Sequence, residues 1–206
     1  MPTLFLIRHG ENDFTGKRLA GCRPGVHLNA KGQEQARQLT GYLADVPFTA
    51  IYSSPLERAV ETAQPLAERC GLPLQHHNGL LEVDFGRWQG LTFRYLRRLP
   101  DWKDLYKQAD TFCFPGGETI AAAQQRVVAA LDEIASKHSE KDVIACVSHS
   151  DSIRLAVTHY LHMPLSGFHQ LRVDLVSVTV LMLDKGMAYL AAFNCPPGGI
   201  NFSKPR

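Results

Sequence analysis

Residues 3–11 read Thr3-Leu4-Phe5-Leu6-Ile7-Arg8-His9-Gly10-Glu11. Leu4 to Ile7 form a short unbroken apolar run, the pattern of a strand covered on both faces, and the run breaks off at a cation, an imidazole and a glycine. Similar runs recur at Ala50–Tyr52, at Val143–Val147 and, longer, at Leu175–Leu183, each separated from the next by a segment of helical length. Apolar residues repeat at helical spacing in two of those segments: Ala36, Leu39 and Leu43, and later Val127, Leu131, Ile134 and Ala135. Strands alternating with amphipathic helices predict an α/β fold with a mainly parallel sheet. After the second run, Ser54, Pro55 and Glu57 stand at the N-cap, N1 and N3 positions of a capping box, and that helix is expected to stop near Gly71-Leu72-Pro73. Asp184-Lys185-Gly186 reads as the turn of a hairpin that continues through Met187–Phe193 and closes one edge of the sheet.

With 206 residues the chain is close to the size of one domain, and residues 1–206 are read as a single unit. Residues 87–115 hold both tryptophans in a pattern of mixed period and are read as a helical or loop insert; the tail from Pro196 to Arg206 is expected to be loosely ordered. Twenty-two Lys and Arg against 20 Asp and Glu give a net charge of +2, and the 45% hydrophobic fraction excludes a disordered or collagen-like chain. No apolar run approaches the ~20 residues that cross a bilayer, and no basic segment precedes a long apolar one at the amino terminus. A soluble cytoplasmic protein is expected, with neither a membrane nor a nucleic acid as partner, since like charges never cluster. Five cysteines, an odd number without a Cys-x-x-Cys pair, suggest reduced thiols rather than a disulfide framework or a zinc ribbon.

In open α/β sheets ligands bind beyond the carboxyl ends of the strands. Here those positions share one chemistry: Arg8-His9-Gly10-Glu11 after the first run, Arg58 in the helix after the second, and Ser148-His149-Ser150 after the third. Two imidazoles and two guanidiniums converging near helix N-termini suit a phosphoryl group. The cations disfavour an imidazolium, which keeps a histidine nitrogen free to attack phosphorus. A carboxyl group with a raised pKa, for which Glu82 is the candidate, would serve as the acid for the leaving alkoxide. Other phosphoryl and hydrolytic chemistries lack their signatures: there is no Cys-x5-Arg loop, no strand-terminal Asp-x-Asp, no Gly-x4-Gly-Lys-Ser/Thr loop, no Gly-x-Ser-x-Gly elbow and no His-Glu-x-x-His helix.

Six segments in order, Leu6–Glu11, Leu28–Ala36, Ser53–Ala59 with Thr62-Ala63, Leu81–Gly90, Pro115–Thr119 and Val147–Ser150, give the chain its resemblance to the histidine phosphatase superfamily, in the branch of phosphoglycerate mutases and related phosphatases. The resemblance covers nearly the whole length. It implies a three-layer α/β sandwich, a mainly parallel central sheet with helices on both faces. It also implies hydrolysis of a phosphate monoester of a small metabolite through a phosphohistidine, without metal or cofactor. His9 would be the nucleophile, Arg8, Arg58 and His149 would surround the phosphoryl group, and Glu82 would be the proton donor. Thr15, Gly21 and Cys22 would line the substrate mouth, and the backbone at Ser150 would hold phosphoryl oxygens.

Two positions depart from the family pattern. Thr15 replaces the usual Asn while Asn12 stands where Thr or Ser is common, and Ser150 replaces a Gly. Asp151 is a lesser candidate for the acid. The alternatives are a phosphomutase, for which 206 residues are short, and a non-catalytic phospho-ligand binder, which would have no use for Glu82. Specificity is assigned to residues 87–115 and 19–28. His27 belongs to the mouth loop, while His76, His77, His138, His159, His162 and His169 lack metal-ligand spacing and are read as structural. Trp88 and Trp102 are read as packing, and the open edge of the hairpin suggests a homodimer.

Overall fold

The computed structural model describes residues 2–107, 109–184 and 187–199. The elements in chain order are β1 (Thr3–Arg8), α1 (Ala30–Tyr42), β2 (Ala50–Ser53), α2 (Glu57–Cys70), β3 (Leu74–His76), α3 (Phe93–Leu96), α4 (Asp101–Lys107), α5 (Ile120–Ser136), β4 (Val143–Ser148), α6 (Ser150–Tyr160), β5 (Val178–Asp184) and β6 (Met187–Cys195). One six-stranded sheet runs β3-β2-β4-β1-β5-β6. Its first four strands are parallel, while β5 and β6 add an antiparallel hairpin at the β1 side.

The period of two along β1 divides the core. Leu4 and Leu6 join Ile144 and Cys146 of β4 beneath Val127 and Leu131 of α5 and Leu155 of α6. Phe5 and Ile7 point the other way, joining Ala145 and Val147 beneath Leu39 of α1 and Leu66 of α2. Helices therefore cover both faces, and the expected three-layer arrangement is observed. Each of these side chains is removed from water, which contributes about 1.5–3 kcal/mol per large aliphatic or aromatic residue. Residues 87–115 contain the two short helices α3 and α4, whose Leu96 and Leu105 extend the α5–α6 core.

Parallel pairing sets Arg8 beside Ser148 and Val147 beside Ser53, so the carboxyl ends of β1, β4 and β2 lie at one edge of the sheet. The loop after β1 is seated on α1 by a close approach of two glycines. Asn29 caps α1 by accepting the Gly32 N–H at 2.9 Å. A Cβ on Gly32 would come within 2.0 Å of the Glu11 carbonyl oxygen, and one on Gly10 within 2.8 Å of the Gly32 carbonyl oxygen. The short segment bearing His9 can lie this low only because neither residue has a side chain.

Two local expectations are corrected, and one short strand is not foreseen by the sequence. The Ser54 capping box does not form: α2 begins at Glu57 with Leu56 as an uncapped N-cap, because the Ser54 hydroxyl is engaged by the His149 ring at 2.8 Å and reaches the Leu56 N–H only at 3.4 Å. Glu57 instead accepts the Gly25 N–H at 2.9 Å. The last apolar run enters the sheet at Val178 rather than Leu175, since Val176 is left-handed at φ 50° and Ser177 closes a turn onto the Asp174 carbonyl. β3 has no apolar run to announce it, being three residues long and mostly exposed. Helix α2 does end at Gly71, left-handed at φ 66°. Lys185 and Gly186 of the expected turn, and the tail from 200 onward, lie outside the described residues.

Gly→Ala inside a helix ordinarily stabilises by up to about 1 kcal/mol. Gly41→Ala, facing open space in the same helix, is expected to do so. Gly32→Ala is expected to destabilise by about 1–3 kcal/mol through overpacking. Urea unfolding midpoints of opposite sign for the two variants check this.

Candidate active site

The His9 backbone N–H donates to the Ser148 carbonyl at 3.0 Å, and that of Ser54 to Val147 at 2.9 Å, which locks the three strand ends together. The His9 ring is 6% exposed. Its Nδ1 lies 2.7 Å from the Gly10 carbonyl, an acceptor only, so the ring proton sits on Nδ1 and the lone pair on Nε2. Nε2 in turn accepts from Arg58 Nε at 3.3 Å. Arg58 is 1% exposed and donates through Nη2 to the Gly21 carbonyl at 2.6 Å. Thr62, one turn along α2, donates its hydroxyl to the Arg58 carbonyl at 2.6 Å and accepts the Gly10 N–H at 3.0 Å. A single hydroxyl thus fixes the imidazole's loop against the guanidinium's helix.

Arg8 donates to the Val173 carbonyl at 2.6 Å. His149 is fully buried, with its ring centroid 5.1 Å from that of His9 and its Nε2 against the Ser54 hydroxyl. Three buried nitrogens here have no hydrogen-bond partner among the described residues: Arg8 Nε, Arg58 Nη1 and His149 Nδ1. A buried polar group left in this state costs about 1–3 kcal/mol, so the arrangement favours an anion that would engage it. Burial and the charge of Arg58, then Arg8, hold His9 well below the usual imidazole range. Burial and Arg58 do the same for His149, with further contributions from His9 and Arg8.

Glu82 is 7% exposed and takes the place of a capping side chain for α6. Its carboxyl oxygens accept the N–H groups of Ser152 at 3.2 Å and Asp151 at 3.4 Å, as well as that of Val83 at 3.0 Å. Burial, and then the neighbouring charge of Asp151, raise its pKa against these donors and Arg58. Arg126 clamps the segment that presents it, donating to the carbonyls of Gly79 (2.9 Å), Leu81 (3.0 Å) and Glu82 (3.2 Å), and pairing with Glu118 at 2.7 Å. Glu118 also accepts the Asp84 N–H at 2.8 Å.

Arg8, His9, Arg58, Glu82 and Ser150 border one cavity of about 550 Å³, together with Asn12, Thr15 and Gly21. His149 supports it from beneath without bordering it. Asn12 and Thr15 spend side-chain acceptors on their own loop, Asn12 accepting the Phe14 N–H and Thr15 the Asn12 N–H.

Cys22 does not line the cavity: its thiol donates to the Glu82 carbonyl at 2.9 Å, and burial, then the nearby Glu82, push it up to about 12. His27 is turned away, held 2.5 Å from Glu61. His169, Trp88 and Trp102 do border the cavity, as do Arg18, Arg97, Arg154 and Phe93, which the motifs leave unassigned. Thr62 is the one positioning residue with a local signal, a hydroxyl four residues after Arg58; Arg126 has none.

Among the described residues no three His, Cys, Asp or Glu converge so as to hold a metal ion, and no helix is long and apolar enough to cross a membrane. Residues 4–196 match the model of the histidine phosphatase superfamily, branch 1. A bifunctional protein of Mycobacterium tuberculosis is 32% identical over 182 residues, 87% of this chain and 50% of its own length. The chain thus spans about half the length of such curated relatives. Phosphoserine phosphatase 1 of Hydrogenobacter thermophilus is 30% identical over 189 residues, 90% of this chain and 88% of its own. Among solved structures, the phosphoserine phosphatase of Entamoeba histolytica in complex with 3-phosphoglyceric acid superposes with a TM-score of 0.85 at 29% identity, covering 94% of this chain and 97% of that one. The order of its motifs, the loops that carry them and these matches together show that the chain belongs to branch 1 of the histidine phosphatase superfamily.

Proposed function

We propose that the protein hydrolyses phosphate monoesters of small metabolites in two steps through a phosphohistidine at His9. The observation that carries this reading is the His9 ring itself: Nδ1 tied to the Gly10 carbonyl, Nε2 bearing its lone pair toward a buried guanidinium. In the first step His9 Nε2 attacks phosphorus, the P–O ester bond breaks, and protonated Glu82 gives its proton to the leaving oxygen. In the second, Glu82 as carboxylate takes a proton from water, the water oxygen attacks phosphorus, and the P–N bond breaks to release phosphate. Arg8 and Arg58 serve the equatorial oxygens, where charge accumulates in phosphoryl transfer, and His149, packed against the His9 ring, backs them without bordering the cavity.

Phosphatase-named relatives and neighbours support hydrolysis rather than mutase chemistry. In this reading residues 1–206 act as one catalytic unit, with residues 87–115 as the insert that walls the cavity. Five unpaired thiols suit the reducing cytoplasm, where we place the enzyme. A homodimer along β6, whose Met187 and Tyr189 are exposed, is the assembly this sheet edge suits.

His9→Ala is expected to lower kcat by at least about 10³-fold and to abolish acid-labile, alkali-stable labelling of the protein by a ³²P-ester quenched during turnover. Undiminished labelling of the variant, or a label on a thiol or carboxylate, refutes the mechanism. Glu82→Gln is expected to slow phosphoenzyme formation about 10²–10⁴-fold with an alkyl phosphate. With p-nitrophenyl phosphate, whose phenolate leaves without a proton, rapid-quench measurement should find a much smaller loss.

The ring environments give a direct pH test. His9 and His149 are held well below 6.5, whereas the hydrogen bond and charge of Glu61 hold exposed His27 above it. At pH 6.0 the NMR signals of the two buried rings are expected to report neutral imidazole and those of His27 imidazolium. A charged His9 at that pH contradicts its assignment as the nucleophile.

A further inference from the structure

Away from the phosphoryl-binding residues the cavity lining is mixed: Arg18, Arg97, Arg154 and His169 border it, and beside them runs an aromatic and aliphatic strip. Leu19, Phe93 of α3, Trp102 of α4 and Phe168 form this strip, and all but Phe168 are only partly buried. Trp102 is held on two sides, by Trp88 at a centroid distance of 5.8 Å and a tilt of 34°, and by Phe93 at 6.4 Å and 70°. An aromatic ring so fixed offers an apolar surface without the entropy of ordering it on binding.

The volume agrees, because about 550 Å³ lies in the range that encloses drug-sized ligands and exceeds what a phosphoryl group with a two- or three-carbon alcohol fills. The charges bear on which polar substituents the alcohol can carry: Arg18, Arg97 and Arg154 border the cavity, so an anionic group finds partners there where an ammonium does not. The acidic residues bordering the cavity are Glu82 and Asp151; Glu82 is the proposed acid, and Asp151 is already paired with Arg154 at 2.8 Å. An ammonium group on the alcohol, as in phosphoserine, would find no uncommitted carboxylate among the described residues that border the cavity.

Resting on the function proposed above, we infer that this strip is a subsite for the alcohol, so that the preferred substrates are phosphomonoesters of alcohols carrying an aromatic or comparably bulky apolar group, with Trp102 and Phe93 as the residues that select them. An amino alcohol would leave the aromatic strip wet and its ammonium unpaired. An apolar body gains by burial against the strip.

The test compares 2-phenylethyl phosphate, ethyl phosphate and O-phosphoserine, all esters of primary alcohols, so that differences in leaving-group chemistry are small. The phenylethyl ester is expected to exceed both others at least tenfold in kcat/KM, mostly through KM. Trp102→Ala is expected to cut the phenylethyl-to-ethyl ratio about fivefold or more, Trp102→Phe to keep most of it, and Phe93→Ala to reduce it independently should the first variant fold poorly. A wild-type ratio within threefold of one, or a ratio that neither alanine variant changes, overturns the subsite. If His9 is phosphorylated by all three esters without preference, the subsite fails and the phosphatase reading stands. If no ester phosphorylates the enzyme, both fail.

Discussion

Arg58 is a guanidinium almost wholly removed from water, and the side-chain atom opposite its Nε is not a carboxylate but the lone pair of a histidine. Burying a charge on such terms is costly unless something compensates. Compensation here is partial: the Gly21 carbonyl accepts one N–H, while Arg58 Nη1 and Arg8 Nε remain without partners among the described residues. Burial first, and then the same two cations, disfavour a proton on His9. The nucleophile and the phosphoryl clamp of the proposed reaction therefore share one electrostatic arrangement. In the proposed reaction a dianionic ester enters a field already aimed at it, so little reorganisation is needed as charge develops.

This arrangement also shapes how folding responds to pH. The two buried histidines bind a proton less readily folded than unfolded, so their contribution to stability declines as pH falls from about 6.5 toward their folded pKa values. Glu82 acts in the opposite sense: its pKa is raised on folding, so its contribution declines as pH rises from its ordinary value of 4.5 through the raised one. Burial moves the two imidazoles and the Glu82 carboxyl toward their neutral forms, the direction that the proposed first step asks of His9 and Glu82.

What the sequence discloses depends on the range of the contact. Leu4–Ile7 and Val143–Val147 are legible as central strands because both of their faces are buried, which leaves unbroken apolar runs. Arg8, His9, Arg58, Glu82 and the His149-Ser150 pair are legible because strand ends and ordered motifs mark them. Ser54 misleads, since a local capping rule cannot foresee an imidazole 95 residues away claiming the hydroxyl. Thr62 and Arg126 act on Gly10 and Glu82, which lie 52 and 44 residues away, and Cys22 is drawn out of the mouth by a carbonyl 60 residues on. Apart from Thr62, whose hydroxyl stands four residues after Arg58, such contacts have no period and no spacing, so they become visible only once the chain is folded.

The Arg126–Glu118 clamp shows how the remaining motif enters the site. Glu118 belongs to the Pro-Gly-Gly-Glu-Thr segment, whose Thr119 caps α5 by accepting the Ala122 N–H at 3.0 Å, and Arg126 stands further along that helix. Together they bind carbonyls and an N–H over residues 79–84, so the carboxyl of Glu82 is positioned from α5 on one side and from the first turn of α6 on the other. In the proposed reaction the Glu82 carboxyl gives up a proton and takes one back, which asks for a fixed position more than a fixed charge. The side chains of Arg126 and Glu118 and the first N–H groups of α6 supply that position, while burial raises the carboxyl's pKa.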